Sequence, residues 1–262
     1  MGDIVFKIRQ GGDRIEYEHA STQFVKHYIG LEADLSQIYI EIDRDPNIHA
    51  AITAFKGLRI VNQDPWECLI SYICATYKNI PAIEQMLDNL CRKFGKLVNF
   101  ENRIFHAFPT AQTLSRAGIS DLAKCGLGYR TKYVSETARR VSENKIDFSQ
   151  LMRLDYETAK KELMQLSGVG PKVADCVLLF SFGKTEAFPV DVWIKRMMLK
   201  HYAVHFSKDF VEKAASQNSI SPSEYRVMNS SGRQYFGRYA GYAQEYLYHY
   251  VRLKTRNSAM KS

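Results

Sequence analysis

The feature that most constrains this chain is a short turn, Ser167-Gly168-Val169-Gly170, set between two stretches of helical spacing. The first stretch, 155–166, is capped by Asp155, and the second, 171–181, opens on Pro171-Lys172. Two glycines allow positive φ and close backbone approach. A proline at the first helical position sacrifices no hydrogen bond, because that N–H has no intrahelical partner. The spacing therefore predicts a helix–hairpin–helix. Its turn and second-helix N-terminus present unpaired N–H groups at the positive end of the helix dipole, which favours a phosphate. An ordinary αα-corner, with glycines present only for packing, is the competing reading of the turn itself.

The surroundings predict a mainly helical protein. Asp64-Pro65 reads as an N-cap followed by proline at the first helical position, with apolar residues at 66, 69, 70, 73, 74 and 77. A second helix runs from Pro81 to just before Gly95. Further helices fit 110–116, 120–125, 130–143, 191–203, 208–215 and 233–253. Weak alternation over 4–18 around Gly11-Gly12 predicts one β-hairpin. No apolar stretch is long enough to cross a membrane, and Met1-Gly2-Asp3-Ile4-Val5-Phe6 carries neither a secretory nor a myristoylation pattern. An intracellular protein is expected, in cytoplasm, nucleoid or nucleus. The 36 basic against 28 acidic residues give a net charge of +8, which makes a polyanionic partner reasonable. The five cysteines contain no C-x-x-C pair, so a zinc ribbon, a redox motif and a four-cysteine iron–sulfur loop are unsupported. Reduced thiols in the core are expected.

Two charged residues stand out beside the turn. Lys172 falls in the first turn of its helix, where the dipole disfavours an ammonium, and an unprotonated amine is a nucleophile that forms Schiff bases. Asp191 ends the loop Phe188-Pro189-Val190 and starts the next helix. Separately they read as a surface lysine and an N-cap. Together, at two helix N-termini beside a phosphate-gripping turn, they make a more specific pattern. Cys176 lies four residues after Lys172, on the same face. Gly237, Gly241, Gln244 and Tyr248 follow at steps of 4, 3 and 4 on the expected helix 233–253. That stripe predicts either a slot for a planar base under a polar hook and a ring, or close helix packing with Tyr248 in the core.

The run Leu166-Ser167-Gly168-Val169-Gly170-Pro171-Lys172-Val173-Ala174-Asp175-Cys176, followed by Pro189-Val190-Asp191, resembles the helix–hairpin–helix/GPD superfamily of DNA glycosylases, and within it the 8-oxoguanine DNA glycosylase/AP lyases. Gln63-Asp64-Pro65-Trp66-Glu67-Cys68-Leu69-Ile70-Ser71, Gly126-Leu127-Gly128-Tyr129-Arg130 and Tyr239-Ala240-Gly241-Tyr242-Ala243-Gln244 extend the resemblance over about residues 20–253. It implies two helical subdomains with a cleft between them: residues 63–144 as one, residues 21–62 with 145–262 as the other, preceded by a hairpin over 1–20. It implies Lys172 as nucleophile and Asp191 as catalytic aspartate. Cys176 and Tyr248 would flank a flipped base whose edge Gln244 reads, with Trp193 near the aspartate where relatives carry histidine. Tyr129 would be the wedge beside the vacated position and Arg130 a contact to the orphaned cytosine. Gly168, Gly170, Lys78 and Asn79 would face DNA.

The resemblance implies no catalytic metal or cofactor, and allows a structural monovalent cation on the hairpin carbonyls. The implied partner is duplex DNA with a damaged base, bound by a monomer. Three departures accompany it. A larger N-terminal sheet domain is reduced here to about twenty residues; Tyr77-Lys78-Asn79 replaces an asparagine run; and Ala82 stands where an arginine usually reads the opposite cytosine. Two other readings remain at this point: a related glycosylase for a different damaged base, and a DNA-binding protein without catalysis.

Overall fold

The computed structural model describes residues 4–12 and 14–259, with side chains to residue 255; the start Met1-Gly2-Asp3 lies outside them. The chain opens on a β-hairpin, β1 (Lys7–Gly11) with β2 (Arg14–Glu18), in antiparallel register from Lys7↔Glu18 to Gly11↔Arg14. Helices α1 (Thr22–Tyr28), α2 (Leu35–Ile42), α3 (Pro46–Ala54), α4 (Pro65–Ala75) and α5 (Ile80–Phe94) follow. A second hairpin, β3 (Leu97–Phe100) with β4 (Arg103–His106), interrupts the helical run. The chain continues through α6 (Ala111–Arg116), α7 (Ile119–Ala123), α8 (Arg130–Ser142), α9 (Phe148–Arg153), α10 (Tyr156–Leu163), α11 (Pro171–Ser181) and α12 (Val192–His201). It ends with α13 (Lys208–Ala215), α14 (Pro222–Phe236) and α15 (Ala240–Ala259).

The mainly helical expectation agrees with this architecture, and the caps explain where its elements begin. Asp64 accepts from the backbone N–H groups of Trp66 and Glu67, with Pro65 at the start of α4. Asp155 caps α10 through Thr158 N. Such caps satisfy helix donors that otherwise lack partners.

The departures from expectation have local causes. The second hairpin was not anticipated; it turns on the two residues Glu101 and Asn102, both at positive φ. The expected single helix over 233–253 is two helices. Gly237 ends α14 at φ +68, and α14 itself begins eleven residues earlier than expected, at Pro222. Its start is a capping box, in which Ser221 accepts from Glu224 N while Glu224 accepts from Ser221 N. That signature is visible in Ser221-Pro222-Ser223-Glu224. The short helices α1, α2, α3 and α9 were also unanticipated.

One contiguous apolar core runs from α2 to α15. Cys68, Leu69, Ile70 and Ile73 of α4 are buried, as are Val173, Val177 and Leu178 of α11 against which α4 packs. Gln63 N donates to Phe180 O across the same junction. Cys68, Cys74, Cys125 and Cys176 are buried and every cysteine is a free thiol, as expected of core cysteines.

Gly241 explains how α15 comes so close. Its N–H donates to Thr185 O, and a Cβ there would stand 2.3 Å from Leu179 Cδ1 and 2.9 Å from Ala187 O. Close packing thus accounts for Gly241, whereas Gly237 lies outside α15 with open space beside it. Gly241→Ala is expected to destabilise the protein by about 1–3 kcal/mol through overpacking, read from a denaturant midpoint.

Candidate active site

A cavity of about 960 Å³ lies between α4, with the segment that follows it, and the hairpin turn with α11. One wall comes from Tyr72 of α4 and the 76–83 segment, the other from the hairpin turn, α11, α12 and α15. Lys172, Asp191, Trp193, Tyr248, Lys78, Asn79, Gly168 and Gly170 all line it. Eight of the residues singled out from sequence thus share one cavity, although they are spread over 78–248.

The geometry of the pair follows from two helix starts. Gly170 is the N-cap of α11 and Pro171 begins it, so Lys172 stands in the first turn, half-buried, its Nζ 5.9 Å from the ring centre of Tyr72. Asp191 is the N-cap of α12, its Oδ1 accepting from Trp193 N at 2.9 Å and Ile194 N at 2.8 Å. Burial raises the Asp191 carboxyl above the usual aspartate range, opposed by those backbone donors and by the Lys172 charge. Both capping bonds go to Oδ1, and the nearby Lys172 charge favours the ionised form.

Other predicted residues sit deeper. Cys176 is buried one turn beyond Lys172, outside the cavity lining, its thiol pushed up to about 12 by burial against the pull of Lys172. Gln244 is buried as well, and its Oε1 has no hydrogen-bond partner. A buried acceptor without a donor is costly and unusual in a folded chain. Tyr248 is half-buried, and its hydroxyl accepts from Arg252 Nη1 at 2.8 Å. Arg196 lies over the Trp193 ring at 5.2 Å.

Two predicted DNA contacts are placed differently from the rest. Asn79 Oδ1 is committed to capping α5, accepting from Ala82 N. Arg130 is only 2% exposed: it donates to Leu127 O and Thr76 O, and its guanidinium lies 4.3 Å from the Tyr129 ring centre. In this structure it ties α8 to the end of α4 and braces Tyr129, rather than facing the cleft. Tyr129 itself is 54% exposed, away from the cavity lining.

Sequence reading overlooked Tyr72, Tyr225 and Arg252, all of which line the cavity. Arg252 is four residues beyond Tyr248, so helical spacing alone would have found it. Tyr72 follows the Gln63–Ser71 motif directly, but only the packing of α4 on α11 turns it toward Lys172.

With that geometry established, comparison with known proteins is decisive. Residues 70–219 match the profile of the HhH-GPD superfamily base excision DNA repair proteins. The chain belongs to that superfamily. Residues 2–69 match the 8-oxoguanine DNA glycosylase N-terminal domain, so the likeness begins well before residue 20, where the motifs placed it. Within 2–69 the described residues form one β-hairpin, α1–α3 and the start of α4. A Saccharomyces cerevisiae N-glycosylase/DNA lyase is 32% identical over 256 residues, 90% of this chain and 68% of that one. A Methanothermobacter thermautotrophicus protein named "Probable N-glycosylase/DNA lyase" is 33% identical over 248 residues, 87% of this chain and 74% of that one. Among solved structures, the Clostridium acetobutylicum 8-oxoguanine glycosylase/lyase, bound to duplex DNA with cytosine opposite 8-oxoguanine, is 30% identical with a TM-score of 0.83, covering 95% of this chain and 82% of that one. A 3-methyladenine DNA glycosylase from Archaeoglobus fulgidus shares the fold at 21% identity and TM-score 0.68.

The Asp191 geometry separates cap from charge. Asp191→Asn keeps an acceptor for Trp193 and Ile194 and removes the burial-disfavoured ionisation, so it is expected to melt no lower than the parent at neutral pH. Asp191→Ala loses the cap and about 1 kcal/mol. Because the carboxyl holds its proton to higher pH than an ordinary aspartate, any activity that needs the carboxylate falls as pH drops through that raised pKa. That acidic limb should be absent from the residual activity of Asp191→Asn.

Proposed function

We propose that this chain removes 8-oxoguanine from duplex DNA through a Schiff base on Lys172 and then nicks the strand by β-elimination. The observation that carries the reading is the meeting of Lys172 and Asp191, each at a helix N-terminus, in one cavity beside the Gly168–Gly170 turn. The names of its relatives supply the substrate class. No helix among the described residues is long and apolar enough to cross a membrane, and an intracellular location follows from the substrate. The residues of the site all come from one chain, so a monomer can carry out the reaction.

In this mechanism the damaged nucleotide leaves the stack at a cost of about a few kcal/mol. Lys172 first gives up a proton to solvent; the free amine then attacks C1′ as the N9–C1′ bond breaks, and the base departs with the bonding electrons and takes up a proton. Asp191 stabilises the positive charge developing on the sugar, in a site where burial strengthens the interaction. The amine loses a proton, the sugar ring opens, and a protonated Schiff base forms. Loss of the C2′ proton then expels the 3′ phosphate oxygen, and water releases Lys172 from the cleaved product. No cofactor takes part. A structural monovalent cation suits the backbone carbonyls of the hairpin turn by its oxygen donors; it would stiffen the turn without entering any step.

The remaining residues take the roles that the family motifs give them, with Gln244 and Cys176 just behind the cavity wall. Gln244 offers its unsatisfied Oε1 to the N–H groups of a guanine edge. Tyr248 stacks on one face of the base, and Cys176, close behind Lys172, backs the other. Trp193, Lys78, Gly168 and Gly170 contact the lesion strand or its partner from the rim, and Tyr129 enters the duplex as a wedge. Asn79 shapes that rim by starting α5, and Arg130 acts on the orphaned base through the wedge it braces.

The test of the chemistry is borohydride trapping. Lys172→Gln keeps length and hydrogen bonding without a nucleophile, so lesion binding should persist while the covalent adduct and the nick vanish. Strand cleavage at the parental rate would remove Lys172 from the mechanism, and parental protein that binds but never traps would mark a binding protein. A panel of other lesions would identify a different target base.

Opposite-base choice should be weak. Tyr77 is exposed on the rim, Ala82 has no polar group, and Arg130 is occupied by Thr76 and Leu127. Each absent base-edge contact removes about 1–3 kcal/mol of discrimination. Single-turnover excision on four duplexes should favour cytosine by less than about a hundredfold, and a larger preference would point to Lys78 as reader.

A further inference from the structure

The wedge and the hairpin turn belong to different parts of the chain, yet one face of α8 touches both. Tyr129, Tyr133, Thr137 and Arg140 follow at helical steps along it, with Glu136 beside them. Tyr129 meets Tyr133 edge to face, ring centres 5.9 Å apart at 79°. Tyr133 in turn packs against Gly168 of the turn: a Cβ there would stand 2.7–2.8 Å from Tyr133 Cδ2, Cβ and Cγ. Gly168 also has φ +80, so both its conformation and its neighbour require glycine. Three further bonds fasten the turn to the same face. Ser167 Oγ donates to Glu136 Oε2 at 2.7 Å, Thr137 Oγ1 to Ser167 O at 3.2 Å, and Arg140 Nη1 to Gln165 O at 2.6 Å.

The other side of the wedge is equally constrained. The buried Arg130 guanidinium lies over the Tyr129 ring and is held by carbonyls of Thr76 and Leu127. Tyr129 thus remains 54% exposed while its ring is bounded by Arg130 and Tyr133. The wedge is presented to solvent on a rigid mount, and Tyr133 is the only one of these groups that touches both wedge and turn among the described contacts.

We propose that Tyr133 is a positioning residue that fixes the distance between the phosphate-gripping turn and the Tyr129 wedge, so that gripping the strand and everting the base occur as one event. The proposal rests on the functional reading above. A turn that holds a phosphate at a set distance from the wedge also sets which nucleotide is displaced into the cavity. Precise placement of this kind matters because small displacements in a preorganised site are costly in rate. Nothing in the contact uses the Tyr133 hydroxyl, for which the described residues supply no hydrogen-bond partner; the ring alone makes the contact.

The test compares Tyr133→Phe, Tyr133→Leu and Tyr129→Ala, singly and with the last two combined. Each is assayed by single-turnover nicking of 8-oxoguanine opposite cytosine and opposite an abasic analogue, where eversion meets less resistance. Eversion is followed by the fluorescence of a 2-aminopurine beside the lesion. Tyr133→Phe should retain activity within about twofold of the parent, whereas Tyr133→Leu should lose about tenfold on the paired lesion, a coupling normal for residues in contact. That loss should shrink opposite the abasic analogue and appear as a smaller fluorescence rise. Gly168→Ala, which pushes the same ring from the other side, should repeat the pattern. The double variant should be no slower than Tyr129→Ala. Multiplying losses, or an equal Tyr133→Leu loss on both substrates, would overturn the coupling. Parental nicking by Tyr129→Ala would instead overturn the wedge assignment and the coupling with it, while leaving the Lys172 chemistry standing.

Discussion

The structure is organised around one buried carboxylate. Asp175 of α11 is fully excluded from solvent and accepts from the hydroxyls of Tyr156 and Tyr225, from Asn229 Nδ2 and from Lys160 Nζ. Those partners come from α10 and α14, so a single side chain ties the two hairpin helices to the helix behind the cavity. Removing one partner from such a group leaves an uncompensated buried charge, at a cost of about 3–5 kcal/mol. Asp175 also falls between Lys172 and Cys176 on α11. The same bonds that close the hairpin therefore set the rotation of α11, which decides where the amine points. Tyr225, held by Asp175 and lining the cavity, carries that constraint into the wall of the site.

The second organising element is the direction of helices rather than any bond. α11 and α12 both start at the cavity, and their N-terminal dipoles favour negative charge there. Asp191 gains from this through two backbone N–H groups, while burial opposes its ionisation. The balance leaves a carboxyl that titrates higher than usual beside a lysine and an arginine. Arg252 holds the Tyr248 hydroxyl and adds positive charge near Asp191. A cavity with that charge pattern and aromatic walls at Tyr72, Tyr225 and Tyr248 suits an anionic strand carrying a planar base.

Much of this was legible in the residues. The turn Ser167–Gly170 could be read because glycine, proline and a following lysine have local conformational meaning that no packing overrides. The caps at Asp64, Asp155 and Asp191 were legible for the same reason, since a cap is satisfied within three residues of itself. The Gly237–Gly241 stripe was ambiguous because glycine at helical spacing is equally consistent with a slot and with close packing. The helix 222–236 was missed although Ser221-Pro222-Ser223-Glu224 signals it; the hairpin 97–106 was missed because the adjacent pairs Leu97-Val98 and Ile104-Phe105 break any alternation.

The sequence by itself determined the local chemistry: where helices start, which turn can receive a phosphate, and that a lysine and an aspartate stand at two N-termini. Family motifs added their roles. Only the tertiary structure decided which of these groups share a space. Spacing along the chain says nothing about the rotation of one helix against another, and so nothing distinguished Tyr248, on the cavity wall, from Gln244, buried behind it. Burial of Arg130 and the contact of Tyr133 with Gly168 likewise arise from residues 35 to 54 positions apart meeting across α8. Such pairings depend on long-range packing, in which many side chains jointly fix one arrangement.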